Sequence, residues 1–188
     1  MSKAFDRVPH DILLKKLAAY GFIGPIIKWF SSYLEHRTFY VVLNGYKSNI
    51  QVCSSGVPQG SHLGPSLFNI FINDIIVCFQ NSSPYIFADD LKFIRAVGTL
   101  DDSILLQKDI DRLVEWCNEN GMSLNAAKCR HIKFTRNVQF VPSFYSIKET
   151  ILEEVTTLKD LGIVLDSKLT FLPHSEQTIK KASKKYGL

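Results

Sequence analysis

Tyr85-Ile86-Phe87-Ala88-Asp89-Asp90-Leu91-Lys92-Phe93-Ile94 is the stretch on which the fold turns. Two runs of strand-forming residues meet across an acidic pair, which predicts a tight β-hairpin with carboxylates at its tip. Aspartate is a poor strand former, and adjacent like charges repel. Two readings account for the placement. One is a solvated turn, where aspartate is common. The other is a divalent cation, because a hard ion such as Mg²⁺ binds one or two protein carboxylates together with substrate phosphates. The tetrad Phe87 to Asp90 alone leaves both open.

Composition narrows the class. The chain has 188 residues, 46% hydrophobic and 21% charged, which suits a globular domain with a sizeable core and not a disordered segment. No apolar run is long enough to span a bilayer, and Met1-Ser2-Lys3-Ala4-Phe5-Asp6 lacks the apolar core of a signal peptide, so an intracellular, reducing setting with no membrane partner is expected. Cys53, Cys78, Cys117 and Cys129 are widely spaced without a Cys-x-x-Cys pair, so buried free thiols are expected rather than a zinc site or disulfides. The histidines show no paired ligand spacing. A net charge of +4 is compatible with a nucleic-acid partner without requiring one. Lys180, Lys181, Lys184 and Lys185 on a helix would either touch phosphates or form a solvated face.

Working outward, Pro9-His10-Asp11 opens a helix with Ile12, Leu13, Leu14 and Leu17 at helical spacing, ending before Gly21. Pro25 starts a second, mostly buried helix. Thr38 to Leu43, then Asn44-Gly45, then Tyr46 to Cys53 predict a hairpin with a type I′ turn. Ser55 to Pro65 holds three glycines and two prolines, the composition of a shaped loop, and Pro65 begins a buried helix through Ile75. Asp101 or Asp102 caps a long helix with Ile104, Leu105, Ile110, Leu113, Val114 and Cys117 inward, stopped at Asn120-Gly121. Strands are expected at Ile132 to Thr135 and Leu161 to Leu165, and a last helix from about Pro173 to Tyr186. The fold class is α+β, an antiparallel sheet with helices on one face.

Four features occur in one order: Ser2-Lys3-Ala4-Phe5-Asp6-Arg7-Val8, then Gly56-Val57-Pro58-Gln59-Gly60-Ser61-His62-Leu63-Gly64-Pro65, then Phe87-Ala88-Asp89-Asp90-Leu91-Lys92, then Gly121 to Asn125 with Lys128-Cys129. In that order they resemble the palm domain of reverse transcriptases, in particular the non-LTR retrotransposon type with Jockey-like elements of insects. Leu161 to Leu169 resembles the segment just before the thumb, and the resemblance runs from Ser2 to about Gly187. It implies a partial palm over residues 1–150 and the end of the palm with the start of a truncated thumb over 151–188, the fingers being absent.

The resemblance also implies chemistry. Two Mg²⁺ ions are expected in the complete enzyme, one activating a primer 3′-hydroxyl and one steadying the triphosphate. Asp89 would be a principal metal ligand and Asp90 a second, supporting carboxylate. Lys128 matches a lysine proposed as general acid for the departing pyrophosphate. Gln59 and Gly60 would line the pocket of the incoming deoxynucleotide, contacting its base and sugar or the template, and Phe5 would be the aromatic gate under its sugar. RNA template, DNA primer and deoxynucleoside triphosphates are the implied partners, with the fingers and thumb segments of a parent polyprotein. A ribonucleoprotein of cytoplasm and nucleus is the implied setting.

Asp6 invites assignment as a catalytic acid, but the family string runs aspartate, apolar residue, then Ser-Lys-Ala-Phe-Asp, and Met1 fills the apolar slot. The catalytic aspartate of that motif would therefore precede Met1, which leaves two carboxylates where three are expected and predicts an inactive or nearly inactive polypeptide. The alternative is a non-catalytic remnant with weak, salt-sensitive RNA binding. A two-aspartate phosphatase or nuclease would leave the glutamine loop and the lysine motif unexplained. Group II intron maturases and telomerases have intervening segments that differ more from this one.

Overall fold

The computed structural model describes residues 1–135 and 141–187. The chain divides into two compact units, one of Met1–Arg95 with Lys108–Asn125 and one of Ala96–Gln107 with Ala126–Leu188.

In the first unit a short helical turn α1 (Ala4–Arg7) leads to α2 (His10–Ala19) and α3 (Pro25–Leu34). Pro9 precedes α2, and its carbonyl accepts the first helical bond, from the Leu13 amide. Pro25 is the first residue of α3, where its missing N–H leaves nothing unpaired. Strands β1 (Thr38–Phe39), β2 (Val42–Leu43), β3 (Tyr46–Lys47) and β4 (Gln51–Val52) follow, then α4 (Leu63–Ile72), which tightens into a 3₁₀ turn over Asn73–Cys78. The hairpin β5 (Ser83–Phe87) and β6 (Asp90–Ile94) precedes α5 (Leu100–Glu119), whose residues from Lys108 onward belong to this unit.

The core joins Val8, Leu13 and Leu17 to Leu67, Phe68 and Phe71 of α4 and Leu113, Trp116 and Cys117 of α5. Each such side chain contributes roughly 1.5–3 kcal/mol on burial. A polar network runs through it. Lys16 donates to the Phe71 carbonyl (2.8 Å) and to Asp74 Oδ1 (2.7 Å), and Trp116 Nε1 donates to the same oxygen (3.1 Å). The Lys16 ammonium lies over the Phe71 and Trp116 rings, 4.5 and 4.7 Å from their centroids. Burial lowers the Lys16 pKa against the pull of Asp74.

Several expectations shift. The α3 helix buries Phe30 and Leu34 but leaves Trp29 half exposed, stacked on Tyr33 at 5.6 Å, so it is not mostly buried. The α4 helix begins at Leu63, two residues before Pro65, because the Ser61 hydroxyl donates to the Pro58 carbonyl and accepts from the Gly64 amide. The α5 cap is Thr99 and not an aspartate: the Thr99 hydroxyl accepts from the Asp102 amide, and Asp102 accepts from the Thr99 amide, a reciprocal capping box. Ile104 points outward, while Asp109 is fully buried. At the other end Met122 N–H bonds the Cys117 carbonyl and Gly121 N–H bonds Asn118, with Gly121 at φ 65°, the Schellman geometry that the Asn-Gly stop predicts.

The second unit holds the first turns of α5, a 3₁₀ turn at Ala126–Lys128, β7 (Arg130–His131), β8 (Ser146–Ile147), β9 (Thr150–Ile151), β10 (Glu153–Glu154), β11 (Thr157–Asp160), β12 (Ile163–Asp166) and α6 (Leu172–Tyr186). The first expected strand sits at Arg130–His131 rather than Ile132 to Thr135, because its parallel partner β10 offers Glu153 to Arg130 (2.8 Å) and Glu154 to His131 (3.3 Å) and Lys133 (2.8 Å). The second is the hairpin partner β12, and Leu161-Gly162 forms its turn with positive φ at both residues. Asp166 collects the amides of Lys168, Thr170 and Phe171, which shapes the approach to α6.

Among the described residues the strands pair only in twos, five pairs antiparallel and β7–β10 parallel. The mixed α and β character holds, but separate two-stranded pieces stand where one sheet is expected. Cys78 and Cys117 are buried and Cys53 and Cys129 half-buried, all as free thiols; burial above all pushes the Cys78 thiol up to about 11.

Candidate active site

The N-terminal stretch binds every other motif segment of the first unit. The Ser2 amide donates to the Ser123 carbonyl (3.0 Å), and the Arg7 guanidinium bonds the Ser123 hydroxyl. The Met1 ammonium donates to the Asp89 carbonyl (3.2 Å) and stands 3.9 Å from its carboxylate. The glycine loop is laced onto α1 by Val57 N–H to the Phe5 carbonyl and Gly56 N–H to the Val8 carbonyl, each 2.8 Å. Gly56 is required there: it sits at φ 88°, and a Cβ would come within 2.8 Å of Asp6 backbone atoms. The Ser55 hydroxyl donates to the Asp6 carbonyl (2.8 Å), and Gln59 Nε2 donates to Asp6 Oδ1 (2.7 Å). Gly60 stands at φ 79° with open space around it, so glycine answers the backbone conformation and not crowding.

The acidic hairpin has the predicted tip. Ser83↔Ile94 through Phe87↔Asp90 are paired, leaving Ala88 and Asp89 as the two-residue turn. Ala88 adopts φ 52°, a left-handed conformation that costs a non-glycine residue about 1–2 kcal/mol. What holds it is the inner face. Ile86, Leu91 and Phe93 pack on the core, and Phe93 meets Phe79 at 4.9 Å. Tyr85, Phe87, Asp90 and Lys92 take the other face by strand alternation. Asp89 is 39% exposed at its side chain, and Asp90 is more open.

Asp109 secures the approach to this hairpin. Its carboxylate accepts from the Asn81 amide (3.0 Å), the Asn81 side chain (2.9 Å) and the Ser82 hydroxyl (2.5 Å), and pairs with Arg112, which also donates to the Cys78 carbonyl (2.8 Å). Burial works to raise its pKa, but the bonds from Ser82 and Asn81 and the Arg112 charge outweigh it, and the carboxyl is held below its ordinary range. Its sequence signal was an acid on the apolar face of α5, flanking Ile110 and Leu113.

Phe5 stacks on Phe68, centroids 4.2 Å apart and planes 18° apart. Its free side lines a cleft of about 520 Å³ bounded also by Pro65, Asn69, Ile86, Phe87 and Ala88. Phe5, Gln59, Gly60, Asp89 and Asp90 thus lie in one unit. Lys128 lies in the second, exposed in the 3₁₀ turn Ala126–Lys128. No group of three or more His, Cys, Asp or Glu side chains suited to a metal occurs among the described residues. The pair Asp89-Asp90 fits a Mg²⁺ site only where phosphate and water complete the shell. No helix among them is long and apolar enough to cross a membrane.

The family pattern described as reverse transcriptase (RNA-dependent DNA polymerase) matches residues 1–165. The chain belongs to the reverse transcriptase family. Among curated proteins this reverse transcriptase chain is similar to the RNA-directed DNA polymerase from mobile element jockey of Drosophila melanogaster, 36% identical over 186 residues that cover 93% of this chain and 20% of that protein. It is 32% identical to the jockey polymerase of Drosophila funebris, over 93% of this chain and 20% of that one. It is also 30% identical to a Pol polyprotein from the type-1 retrotransposable element R2 of Popillia japonica, over 88% of this chain and 30% of that protein. The resemblance to Jockey-like, non-LTR elements holds. The chain spans about a fifth of the length of the jockey relatives. Within the reverse transcriptase frame, the structure adds to the motif residues Asp109, the bond from Gln59 to Asp6, and the contact of Arg7 with Ser123 of the fourth motif.

Proposed function

We propose that this chain is palm sequence of an RNA-directed DNA polymerase that copies RNA from a DNA primer with deoxynucleoside triphosphates. Residues 1–150 are palm on this reading, and 151–188 are the end of the palm and the start of the thumb. The observation that carries it is the lacing of Met1–Val8 to the glutamine loop and the acidic hairpin, because it gathers Phe5, Gln59, Asp89 and Asp90 in one unit.

Asp89 and Asp90 would hold Mg²⁺, which when bound supplies an activated hydroxyl and neutralises phosphate charge. The hairpin's packed inner face keeps the two carboxylates at a fixed, solvent-reached tip, so little reorganisation is needed to bind. Phe5 cannot retreat, because Phe68 backs it at 4.2 Å, so its ring is a firm wall against a 2′-hydroxyl in the adjoining cleft. Gln59 and Gly60 would meet the incoming nucleotide from the loop. Lys128 would protonate the leaving pyrophosphate or contact phosphate. The Met1 nitrogen lies beside Asp89, so a residue joined to it enters the space next to that carboxylate, which supports a third aspartate there in the complete enzyme.

Residues 1–188 by themselves are expected to give no primer extension with Mg²⁺ and deoxynucleotides, and robust extension would overturn that expectation. The same segment exchanged in register into the Drosophila melanogaster jockey polymerase is expected to support extension. A correctly folded exchange without activity counts against the polymerase reading.

A further inference from the structure

Asp6 is an exposed carboxylate one residue after the gate, and the metal chemistry does not use it. Its position is nevertheless heavily specified. Ser55 bonds its carbonyl, Gly56 packs directly on its backbone, and the neighbouring Phe5 and Val8 carbonyls receive the loop amides. His10 Nε2 holds the Gly56 carbonyl at 2.8 Å, which pins the loop from the other side. On this platform the Asp6 carboxylate takes Gln59 Nε2 at 2.7 Å.

An ionised carboxylate only accepts, so it selects one end of the glutamine amide. The nitrogen must face Asp6, and the carbonyl oxygen Oε1 is left as the acceptor on the other side. An amide without such a partner presents either end. We propose that Asp6 is a positioning residue for the incoming nucleotide: by holding Gln59 through its nitrogen, it presents Oε1 to a hydroxyl or amino donor on the sugar or base. The inference rests on the reading that Gln59 lines the nucleotide pocket. A charge-assisted bond is the stronger kind, so the orientation is fixed before the nucleotide arrives.

The test is a titration of the ¹⁵N-labelled chain with dATP and Mg²⁺, following the Gln59 side-chain NH₂ pair and the backbone amides. Asp6→Ala, Asp6→Asn, Gln59→Ala and the Asp6→Ala/Gln59→Ala pair are compared, with the remaining amide spectrum as the check on folding. In the unsubstituted chain dATP is expected to shift the Gln59 signals. Asp6→Ala and Gln59→Ala each weaken dATP about fivefold, the worth of one hydrogen bond. The double variant is no weaker than the weaker single one, because Asp6 acts through Gln59. Asp6→Asn keeps the volume, serves if Asp6→Ala does not fold, and weakens dATP in the same direction. If dATP shifts nothing in the unsubstituted chain, the same variants are compared by KM for dATP in the exchanged jockey polymerase; if Gln59→Ala binds dATP normally in either setting, the nucleotide-pocket reading falls and this inference with it. If Gln59→Ala weakens dATP while both Asp6 variants bind normally, or if the two losses add, this inference alone falls.

Discussion

Two hairpins of the first unit have two-residue turns and opposite construction. In β2–β3 the turn is Asn44-Gly45 at φ 50° and 83°, residue types that accept left-handed conformations, and its strands are exposed, with Tyr46 82% accessible. In β5–β6 the turn is Ala88-Asp89, with a left-handed alanine and two adjacent acids, yet the pairing is longer and one face is packed on the core. The first is turned by its own residues and little else holds it. The second is turned against local preference and held from outside. Local disagreement paid for by tertiary packing is the usual mark of a site under functional constraint.

The sharpest way to break this comparison is to remove a tip carboxylate. In the jockey polymerase carrying this segment, Asp89→Asn is expected to lower primer-extension rate about a thousandfold, about 4 kcal/mol of barrier, with unfolding unchanged. A loss under tenfold would make the tip an ordinary acidic turn. Next is the outside support. Asp109→Ala is expected to cost about 3 kcal/mol in urea unfolding, because it strands Asn81, Ser82 and Arg112.

Acid tests the same support. Asp109 and Asp166 both have folded pKa values below the ordinary carboxylate value. Their stabilisation is fully present above that value, about 3.9, and is lost as pH falls through the lower folded values. Asp109→Ala should flatten that acid limb of the stability curve, and an unchanged limb would show that the pin is idle.

Smaller effects separate the turns themselves. Gly45→Ala is expected to cost about 1–2 kcal/mol, since alanine is strained at φ 83°. Ala88→Gly relieves the same strain but adds unfolded-chain freedom, so a net change under about 1 kcal/mol is expected. Thermal unfolding of the two variants measures both, and equal losses would erase the contrast between the hairpins.

These cases explain what was legible in the sequence. The Asn44-Gly45 turn and the Gly121 stop carry their cause in adjacent residues, and their positions, like that of the Phe87–Asp90 tip, are as expected. The Gln59–Asp6 bond spans 53 positions and the Asp109 pin 27 or 28, so no local pattern encodes them. Strand β7 was displaced by two residues because Glu153 and Glu154 fix its register from far along the chain. Charge pairing of that kind has no periodicity to read. The exposed Ile104 shows the converse, an apolar residue at helical spacing that stays 54% exposed.

The amino group of Met1 rests against Asp89, and this bears on how the protein is handled. Residues of a purification tag joined directly to that nitrogen would start beside the acidic tip. Binding and activity measurements therefore belong on protein whose added residues before Met1 have been removed or set off by a spacer.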